Sequence, residues 1–274
     1  MKKTLLSSFV AFGLAVLPLT AQAGTVTVKG SDTMVILAQR WAEAFMKKNP
    51  ATKIQVTGGG SGTGLAALQN GTTDIAMSSR EIKEAESAKI SARNKTAPTA
   101  LSVAKDGVTF YVNDTNKVDA LSTEQLKAIY LGDTTNWKDV GGQDSPIVPY
   151  SRENSSGTYV FVKDHVLGGE DFAPEAQTLP GTAAVVNAVA KEKNGIGYGG
   201  AAYGKGIKEL KVKKGNETFA PSAENVKSGK YPLSRDLFFY LGKAPAGEVK
   251  AFIDFALSAE GQAIVTQVGY FPVK

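Results

Sequence analysis

The chain contains no cysteine and a single histidine, and these absences exclude several kinds of chemistry. Without cysteine it has no disulfide, no thiolate metal site and no cysteine nucleophile. His165 lies in the apolar run of residues 159–167, so we expect it on a helix surface rather than in a catalytic triad or a zinc site. Acidic residues are scattered, unlike the paired clusters of calcium sites. The sequence therefore predicts no metal ion, no cofactor and no catalytic residue.

The chain also lacks an apolar run long enough to span a membrane. Residues 9–19 are apolar, but eleven residues are too few for a span. Lys2 and Lys3 precede this run, and the sequence Ala21-Gln22-Ala23 follows it. This is the pattern of a secretory signal peptide cleaved after Ala23. With no cysteine beyond the cleavage point, we expect a periplasmic protein without a membrane anchor, consisting of residues 24–274.

The charge of the mature chain is small and mixed. Removing Lys2 and Lys3 from the 31 basic residues leaves 29 against 26 acidic residues, a net charge of about +3. Nucleic-acid binding proteins show clustered Lys and Arg with interleaved aromatic residues, and no such stretch is visible here. The lack of such a stretch excludes a nucleic-acid partner, and the small positive net charge is compatible with an anionic ligand.

Strand and helix patterns alternate along both halves of the chain. In the first half, the patterns predict strands at 25–28, 53–56 and 74–77 and helices at 35–48, at 65–69 and from Glu81 onward. In the second half, they predict strands at 108–112, 147–150, 195–198 and 237–241 and helices at 126–130, from 159 to 166, at 181–191 and at 247–268. A capping box at Ser122–Gln125 starts one of these helices. This order predicts an α/β fold with mostly parallel sheets.

Four of the predicted strand-to-helix junctions are rich in Ser, Thr and Gly, namely residues 30–33, 58–64, 78–80 and 154–158. Each has two interpretations. Ser and Thr are preferred N-caps, and the Ser78–Glu81 spacing fits a capping box without a ligand. Unpaired N–H groups at a helix start also bind anions. Loops at the carboxyl ends of parallel strands face one crevice, so four such loops together favour an oxyanion site.

The glycine loop at 58–64 does not fit a nucleotide site. A Walker loop needs Lys after its last glycine, whereas Gly64 is followed by Leu65. A dinucleotide fingerprint can be placed on Gly62, Gly64 and Ala67, but no acidic residue follows at the required distance. A hydrolase is disfavoured as well, because Ser155 and Ser156 have no histidine partner in a triad pattern.

Arg152 is the most informative charged residue because it ends a predicted strand four residues before Ser156. A guanidinium group can donate to two oxygens of a tetrahedral anion, and the N–H groups after Ser156 would add donors. The alternative is a surface arginine paired with Glu153 or Asp164. Arg80 and Arg235 have the same two interpretations.

At this point the chain resembles the compact phosphate-binding proteins of bacterial phosphate ABC importers. The resemblance covers nearly the whole mature chain and rests on the order of the motifs GSDT (30–33), GGSGTG (59–64), DIAMSSR (74–80), LSTEQL (121–126), TNW (135–137), SRENSSGT (151–158) and PLSR (232–235). It implies a type II periplasmic-binding-protein fold, with two α/β lobes, two crossover strands near 105–110 and 231–236, and a ligand cleft between the lobes. Lobe 1 would comprise residues 24–105 with 236–274, and lobe 2 residues 106–235.

The resemblance also implies a set of phosphate-binding residues. These are Ser31, Thr33, Met34 (through its N–H), Ser61, Ser79, Arg152, Ser156, Gly157 and Thr158, with Asp32, Gly62 and Arg80 as further candidates. Longer members carry an aspartate where this chain has Ser79. That aspartate would accept the proton of bound phosphate, so we expect Asp32 to take its place.

The implied function is high-affinity binding of inorganic phosphate in the periplasm, by hinge closure of a monomer, and delivery to the membrane subunits of an ABC importer. Two alternatives stay open. One is another tetrahedral oxyanion, such as sulfate or a phosphonate. The other is an extracellular matrix or interaction protein with the same fold. A secreted phosphatase is disfavoured by the missing metal ligands and the missing nucleophile–base pair.

Overall fold

The computed structural model describes residues 24–273, so the predicted signal peptide lies outside the described residues. Within this range the chain forms a mixed α/β structure whose strands are β1 Gly24–Gly30, β2 Thr52–Thr57, β3 Ile75–Ser78, β4 Thr99–Val112, β5 Ala120–Ser122, β6 Val148–Arg152, β7 Gln177–Leu179, β8 Gly195–Gly200, β9 Lys208–Lys214, β10 Glu217–Phe219 and β11 Ser234–Leu241.

The α-helices are α1 Val35–Lys48, α2 Ser61–Asn70, α3 Glu84–Asn94, α4 Thr123–Leu131, α5 Gly157–His165, α6 Gly181–Lys191, α7 Ala223–Lys227, α8 Gly247–Leu257 and α9 Ala259–Val268. Three short 3₁₀ helices cover Asp32–Met34, Trp137–Val140 and Ala201–Tyr203. None of the helices between residues 24 and 273 is long and apolar enough to cross a membrane.

The strands follow the order β2-β1-β3-β11-β4-β8-β6-β7, with β9 beside β4 and then β5 and β10 beside β9. The strands that precede the predicted site loops pair in parallel, as expected: β1 with β2 and β3, and β6 with β7 and β8. The antiparallel pairings involve β4, β11 or the β9–β10 hairpin. The expectation of mostly parallel sheets therefore applies to the site-bearing strands, whereas the crossing strands make the sheet mixed.

The two largest hydrophobic cores of residues 24–273 lie on either side of the crossing strands. The first is built around Trp41 of α1, where Phe239 and Phe252 complete an aromatic cluster. The second is built around Phe110, Tyr130 and Tyr198, whose rings lie within 6.0 Å of one another. Each core is the apolar side of its own α/β unit, so the chain folds as two packed halves joined by a few strands.

The long strand β4 crosses from one half to the other. It pairs with β11 up to Gly107 and with β8 from Val108 onward, inside the predicted crossover region. The strand pattern predicted only residues 108–112 of this strand, and the crossover implied by the resemblance began near residue 105. The first part contains Ser102, Lys105 and Asp106, whose polar side chains interrupt the apolar pattern from which strands are predicted.

Two local predictions are wrong. Residues 247–268 form two helices, because Ser258 adopts an extended conformation and its hydroxyl caps α9 by accepting from the Gly261 N–H at 3.1 Å. The capping box expected at Ser78–Glu81 does not form. The Ser78 hydroxyl donates to the Arg80 carbonyl at 2.7 Å, and α3 begins only at Glu84, where Glu86 accepts from the Lys83 N–H.

Candidate functional site

Six loops converge where β1, β2, β3, β6, β7 and β8 end. We call the residues from the first three loops wall A (30–34, 58–64 and 78–80) and those from the last three wall B (152–158, 180–182 and 200–203). The strands of each set run parallel, so their carboxyl ends lie at one edge of each half. All four predicted Ser/Thr/Gly junctions are brought together here.

The first loop of wall A follows β1 directly. Ser31 and Thr33 are buried, and Met34 packs in the first core. The Met34 N–H donates to the Ser31 carbonyl at 3.0 Å, so the predicted ligand donor has an internal partner in this conformation. Asp32 lies nearer the rim, with 18% of its side chain exposed.

The glycine loop starts helix α2 earlier than predicted, at Ser61. Gly60 has φ +93°, and a Cβ atom there would lie 2.5 Å from the Ser155 carbonyl oxygen of wall B. The loop therefore needs glycine for both its backbone conformation and its close approach to the opposite wall. Ser61 is fully buried, and its hydroxyl accepts from the Ser79 N–H at 3.0 Å.

Arg152 is the charged centre of the site. It ends β6 and is only 1% exposed. Its Nη1 donates to the Thr182 hydroxyl at 2.8 Å and its Nη2 to Asp32 Oδ2 at 2.9 Å, while the buried Nε has no hydrogen-bond partner among residues 24–273. Burial lowers the pKa of the guanidinium, and the Asp32 carboxylate opposes that shift. The alternative of a surface arginine paired with Glu153 or Asp164 is therefore wrong.

The start of α5 supplies the rest of wall B. The Ser156 hydroxyl caps the helix by accepting from the N–H groups of Thr158 and Tyr159. A Cβ atom on Gly157 would lie 2.3 Å from Ser61 Oγ and 2.7 Å from Ser79 Oγ. Only a glycine lets the helix start approach wall A this closely, and its dipole places partial positive charge there.

Hydrogen bonds join the two walls directly. Thr33 Oγ1 and Thr158 Oγ1 are 2.8 Å apart, and the Gly62 N–H donates to the Ser155 carbonyl at 2.9 Å. With the Arg152–Asp32 ion pair, these contacts close the cleft between the walls. The predicted residues thus form one enclosed cluster in which hydroxyl, N–H and guanidinium groups converge.

Arg80 and Arg235, which the sequence left open as anion ligands or ion-paired arginines, both form ion pairs. Arg80 forms a two-point ion pair with Glu86 at 2.7 and 2.8 Å and lies beside the cluster. Arg235 binds Asp106 through Nε and Nη2, and Nη2 also donates to Thr158 Oγ1 at 3.0 Å. Arg235 therefore supports the site from the crossover strand. His165 is exposed on α5, as the sequence predicted, and its ring stacks on Phe161.

Several supporting residues were missed by sequence reasoning. Thr182 positions Arg152, the Tyr198 hydroxyl accepts from the Arg152 N–H at 3.2 Å, and the Tyr203 hydroxyl donates to the Asp32 carbonyl at 2.8 Å. Thr182 follows a Pro-Gly pair before a helix, which is a signal for a site loop. The two tyrosines carry no local signal, because their partners lie far away in the sequence.

This donor-rich cluster can bind a tetrahedral anion. Arg152 Nε, the hydroxyl groups and the start of α5 are donors of the type that such anions accept, and they lie out of contact with bulk water. Within residues 24–273, no group of three or more His, Cys, Asp or Glu side chains is arranged to hold a metal ion.

Known proteins are similar to this chain over most of its length. The family model of the PBP superfamily domain matches residues 18–260. The phosphate-binding protein PstS of Pseudomonas aeruginosa is 32% identical over 270 residues, covering 92% of this chain and 84% of the relative. PstS of Staphylococcus haemolyticus is 34% identical over 252 residues, with 88% of this chain and 78% of the relative covered.

Among solved structures, a phosphate ABC transporter substrate-binding protein of Clostridium perfringens with bound phosphate superposes with a TM-score of 0.84. It is 31% identical, and the match covers 92% of this chain and 100% of that one. These matches agree with the type II periplasmic-binding-protein fold expected from the sequence. The chain belongs to the PBP superfamily and, within it, to the PstS family of phosphate-binding proteins, the substrate-binding components of phosphate ABC transporters.

Proposed function

We propose that this protein binds inorganic phosphate in the periplasm and delivers it to the membrane subunits of an ABC importer. The observation that carries the proposal is the burial of Arg152 between the Thr182 hydroxyl of wall B and the Asp32 carboxylate of wall A, with no hydrogen-bond partner for its Nε among residues 24–273. The PstS relatives and the phosphate-bound neighbour support phosphate as the ligand. The proposed role is binding and release without chemical conversion.

The binding residues proposed are Ser31, Thr33, Ser61, Ser79, Arg152, Ser156, Gly157 and Thr158, with Gly62 beside them. The Met34 N–H would join them only by exchanging its bond to the Ser31 carbonyl. Arg80 is assigned outside this set, because Glu86 already holds both of its terminal nitrogens. Asp32 is assigned to positioning Arg152 rather than to binding the ligand itself.

Hinge closure is the proposed mechanism. Lobe 1 comprises residues 24–105 with 236–274 and lobe 2 residues 106–235, so the hinge lies in β4 and at the start of β11. Opening breaks the Thr33–Thr158, Gly62–Ser155 and Arg152–Asp32 contacts and admits the ion. Closure removes the ion from water, and many charge-assisted hydrogen bonds offset the cost of its desolvation.

The proposed mature form is a monomer that begins at Gly24, after cleavage behind Ala23. The basic, apolar and Ala-x-Ala segments of the first 23 residues support this. Mass spectrometry of protein purified from a periplasmic extract would identify the new N-terminus. A chain that retains residues 1–23 would contradict the proposed cleavage.

Calorimetric titration of phosphate-free protein tests the binding proposal. We expect a Kd in the micromolar range or tighter, about −8 kcal/mol or more favourable. Arg152→Ala should weaken binding at least about 100-fold, because charge-assisted hydrogen bonds contribute about 1.5–3 kcal/mol each. Arg40→Ala is the matched control, since Arg40 is exposed on α1 and, in the described part of the chain, forms an ion pair with Glu43 alone. A wild-type protein that does not bind phosphate would refute the proposal.

A further inference from the structure

We propose that residues 205–230, which we call the basic segment, form a contact surface for anionic phospholipid headgroups and bring the protein reversibly to the surface of a membrane. The proposal rests on the periplasmic location proposed above, because that location places the protein beside a bilayer. It does not depend on the phosphate site, since the basic segment contains no residue that we assign to phosphate binding.

The positive charge of the mature chain is concentrated in the basic segment. Residues 205–230 contain seven lysines and three glutamates, a net charge of +4. The mature chain as a whole has a net charge of about +3, so its other residues together carry about −1. The small charge of the whole chain therefore conceals a local excess of one sign, which attracts an anionic partner.

Most lysines of the basic segment are exposed and have no acidic partner. Lys208 is the exception, because it is half-buried and its ammonium group lies 2.6 Å from Asp119 Oδ1. The other six form no ion pair with any residue of the range 24–273, namely Lys205, Lys211, Lys213, Lys214, Lys227 and Lys230. Their charges are therefore available to a partner.

Strand β9 directs part of this charge outward. Leu210 and Val212 are buried in the second core, and side chains alternate along a strand, so Lys211 and Lys213 lie on the opposite, outer face. The residues paired with these two lysines on β5 and β10 are uncharged, namely Ala120, Ser122 and Thr218. The neighbouring strands thus place no carboxylate opposite the two lysines.

The acidic side chains of the basic segment neutralise only part of its charge. Glu209 is half-buried, and burial together with Asp106 raises the pKa of its carboxyl to about 7, so it is only partly ionised near neutral pH. Glu217 lies across the hairpin from Lys214, and Glu224 lies in the first turn of α7. Three carboxyl groups therefore oppose seven ammonium groups.

The composition of the basic segment favours a bilayer over other anionic partners. The segment has no arginine, tryptophan or tyrosine, and its single aromatic residue, Phe219, is half-buried against the second core. Nucleic-acid sites combine basic residues with stacking aromatic residues, and arginine is the residue that recognises a single phosphate group with two hydrogen bonds. Exposed lysines instead act as point charges, which suits the diffuse negative charge of anionic lipids.

Sedimentation of the mature protein with lipid vesicles tests the proposal. One set of vesicles contains phosphatidylcholine alone, and the other is an equal mixture of phosphatidylcholine and phosphatidylglycerol. We expect binding to the mixed vesicles at about 50 mM sodium chloride and loss of most of it at about 500 mM, where salt screens the charges. We expect no binding to phosphatidylcholine alone.

A double variant tests the outer face of β9. Lys211→Gln combined with Lys213→Gln should weaken binding to the mixed vesicles about 25-fold, because each lysine near an anionic bilayer contributes about fivefold. Lys53→Gln combined with Lys89→Gln is the matched control, since it removes the same charge from exposed positions on β2 and α3. The control should leave vesicle binding nearly unchanged. Melting curves and phosphate titrations verify that both double variants are folded and bind phosphate.

The outcomes separate this proposal from the proposed function. A wild type that does not bind the mixed vesicles, or binds phosphatidylcholine equally well, overturns the membrane contact and leaves phosphate binding intact. Equal losses in the two double variants would show that net charge rather than the basic segment governs binding, and would overturn the proposal as well. Binding of soluble polyglutamate in place of the mixed vesicles would assign the segment to an acidic protein partner instead. A wild type that binds the mixed vesicles but no phosphate overturns the proposed function alone.

Discussion

Arg235 and Thr158 are joined by a 3.0 Å hydrogen bond that links the crossover strand β11 to the helix start at the centre of the site. The same guanidinium group holds the fully buried Asp106 of the other crossover strand, β4, at 2.8 and 3.0 Å. The proposed hinge and the binding site therefore share one buried ion pair. A change at the hinge should therefore alter the affinity for the ligand, and ligand binding should alter the conformation of the hinge.

Removing one partner of this ion pair should lower the free energy of unfolding substantially. Arg235→Gln leaves the Asp106 carboxylate buried without its charge partner, which typically destabilises a protein by about 3–5 kcal/mol. The free energy of unfolding from urea denaturation measures this loss. Asp106→Asn combined with Arg235→Gln should lose clearly less than the sum of the two single variants. Additive losses would show that the two residues are not coupled.

A substitution at Gly157 tests whether the two walls must approach each other closely for phosphate to bind. Its added Cβ would lie 2.3 Å from Ser61 Oγ, so Gly157→Ala should prevent full closure and raise the Kd for phosphate at least about 100-fold. Stability without ligand should change little, because Gly157 begins a helix with ordinary backbone angles. Calorimetry and thermal melting measure the two effects separately.

Gly206→Ala is the control for Gly157→Ala, because we expect it to lower stability without changing the affinity for phosphate. Gly206 has φ +84° and nothing within 4 Å of an added Cβ. Alanine there should cost about 1–2 kcal/mol of stability through backbone strain and leave the phosphate Kd unchanged. Equal losses of affinity in both variants would contradict the steric explanation.

Sequence reasoning pointed to most residues of the candidate site because its signals are local. A Ser-Gly-Thr segment after a strand indicates a helix start with free donors, and Arg152 at the end of such a strand adds the charge. The structure brings both Ser-Gly-Thr segments together, with Gly62 against Ser155. Helix α1 was predicted with its observed bounds, because its apolar face repeats regularly.

The supporting network could not be predicted because its partners are far apart in the sequence. Asp106 and Arg235 are separated by 129 residues, and Tyr203 and Asp32 by 171. The sequence likewise could not show that Asp32, suggested as the proton acceptor, pairs with Arg152 at 2.9 Å across 120 residues.

Glu209 should make stability depend on pH. It is half-buried, and burial together with the nearby Asp106 raises the pKa of its carboxyl from 4.5 to about 7. The folded state therefore holds a proton that the unfolded state releases between pH 4.5 and 7, so this contribution to stability falls as pH rises through that window.

Glu209→Gln removes this titration and should raise the melting temperature at pH 8 relative to the wild type. We expect about 2–4 °C, for about 1 kcal/mol after solvent screening is allowed for. At pH 4.5 the two proteins should melt at nearly the same temperature. A difference that is constant across pH 4.5–8 would show that the Glu209 carboxyl does not titrate with a raised pKa.

Tyr203 should slow the release of phosphate, because its hydroxyl donates from wall B to the Asp32 carbonyl of wall A at 2.8 Å. Tyr203→Phe removes one hydrogen bond that exists only in the closed cleft. At about 0.5–1.5 kcal/mol, its loss should raise the dissociation rate about 3–10-fold with little change in the association rate. Stopped-flow measurements give both rates.

Tyr231→Phe is the control for this prediction. The Tyr231 hydroxyl donates to the Val108 carbonyl at 2.8 Å within one half, so its removal should affect stability alone. Equal dissociation rates in Tyr203→Phe and the wild type would contradict this role.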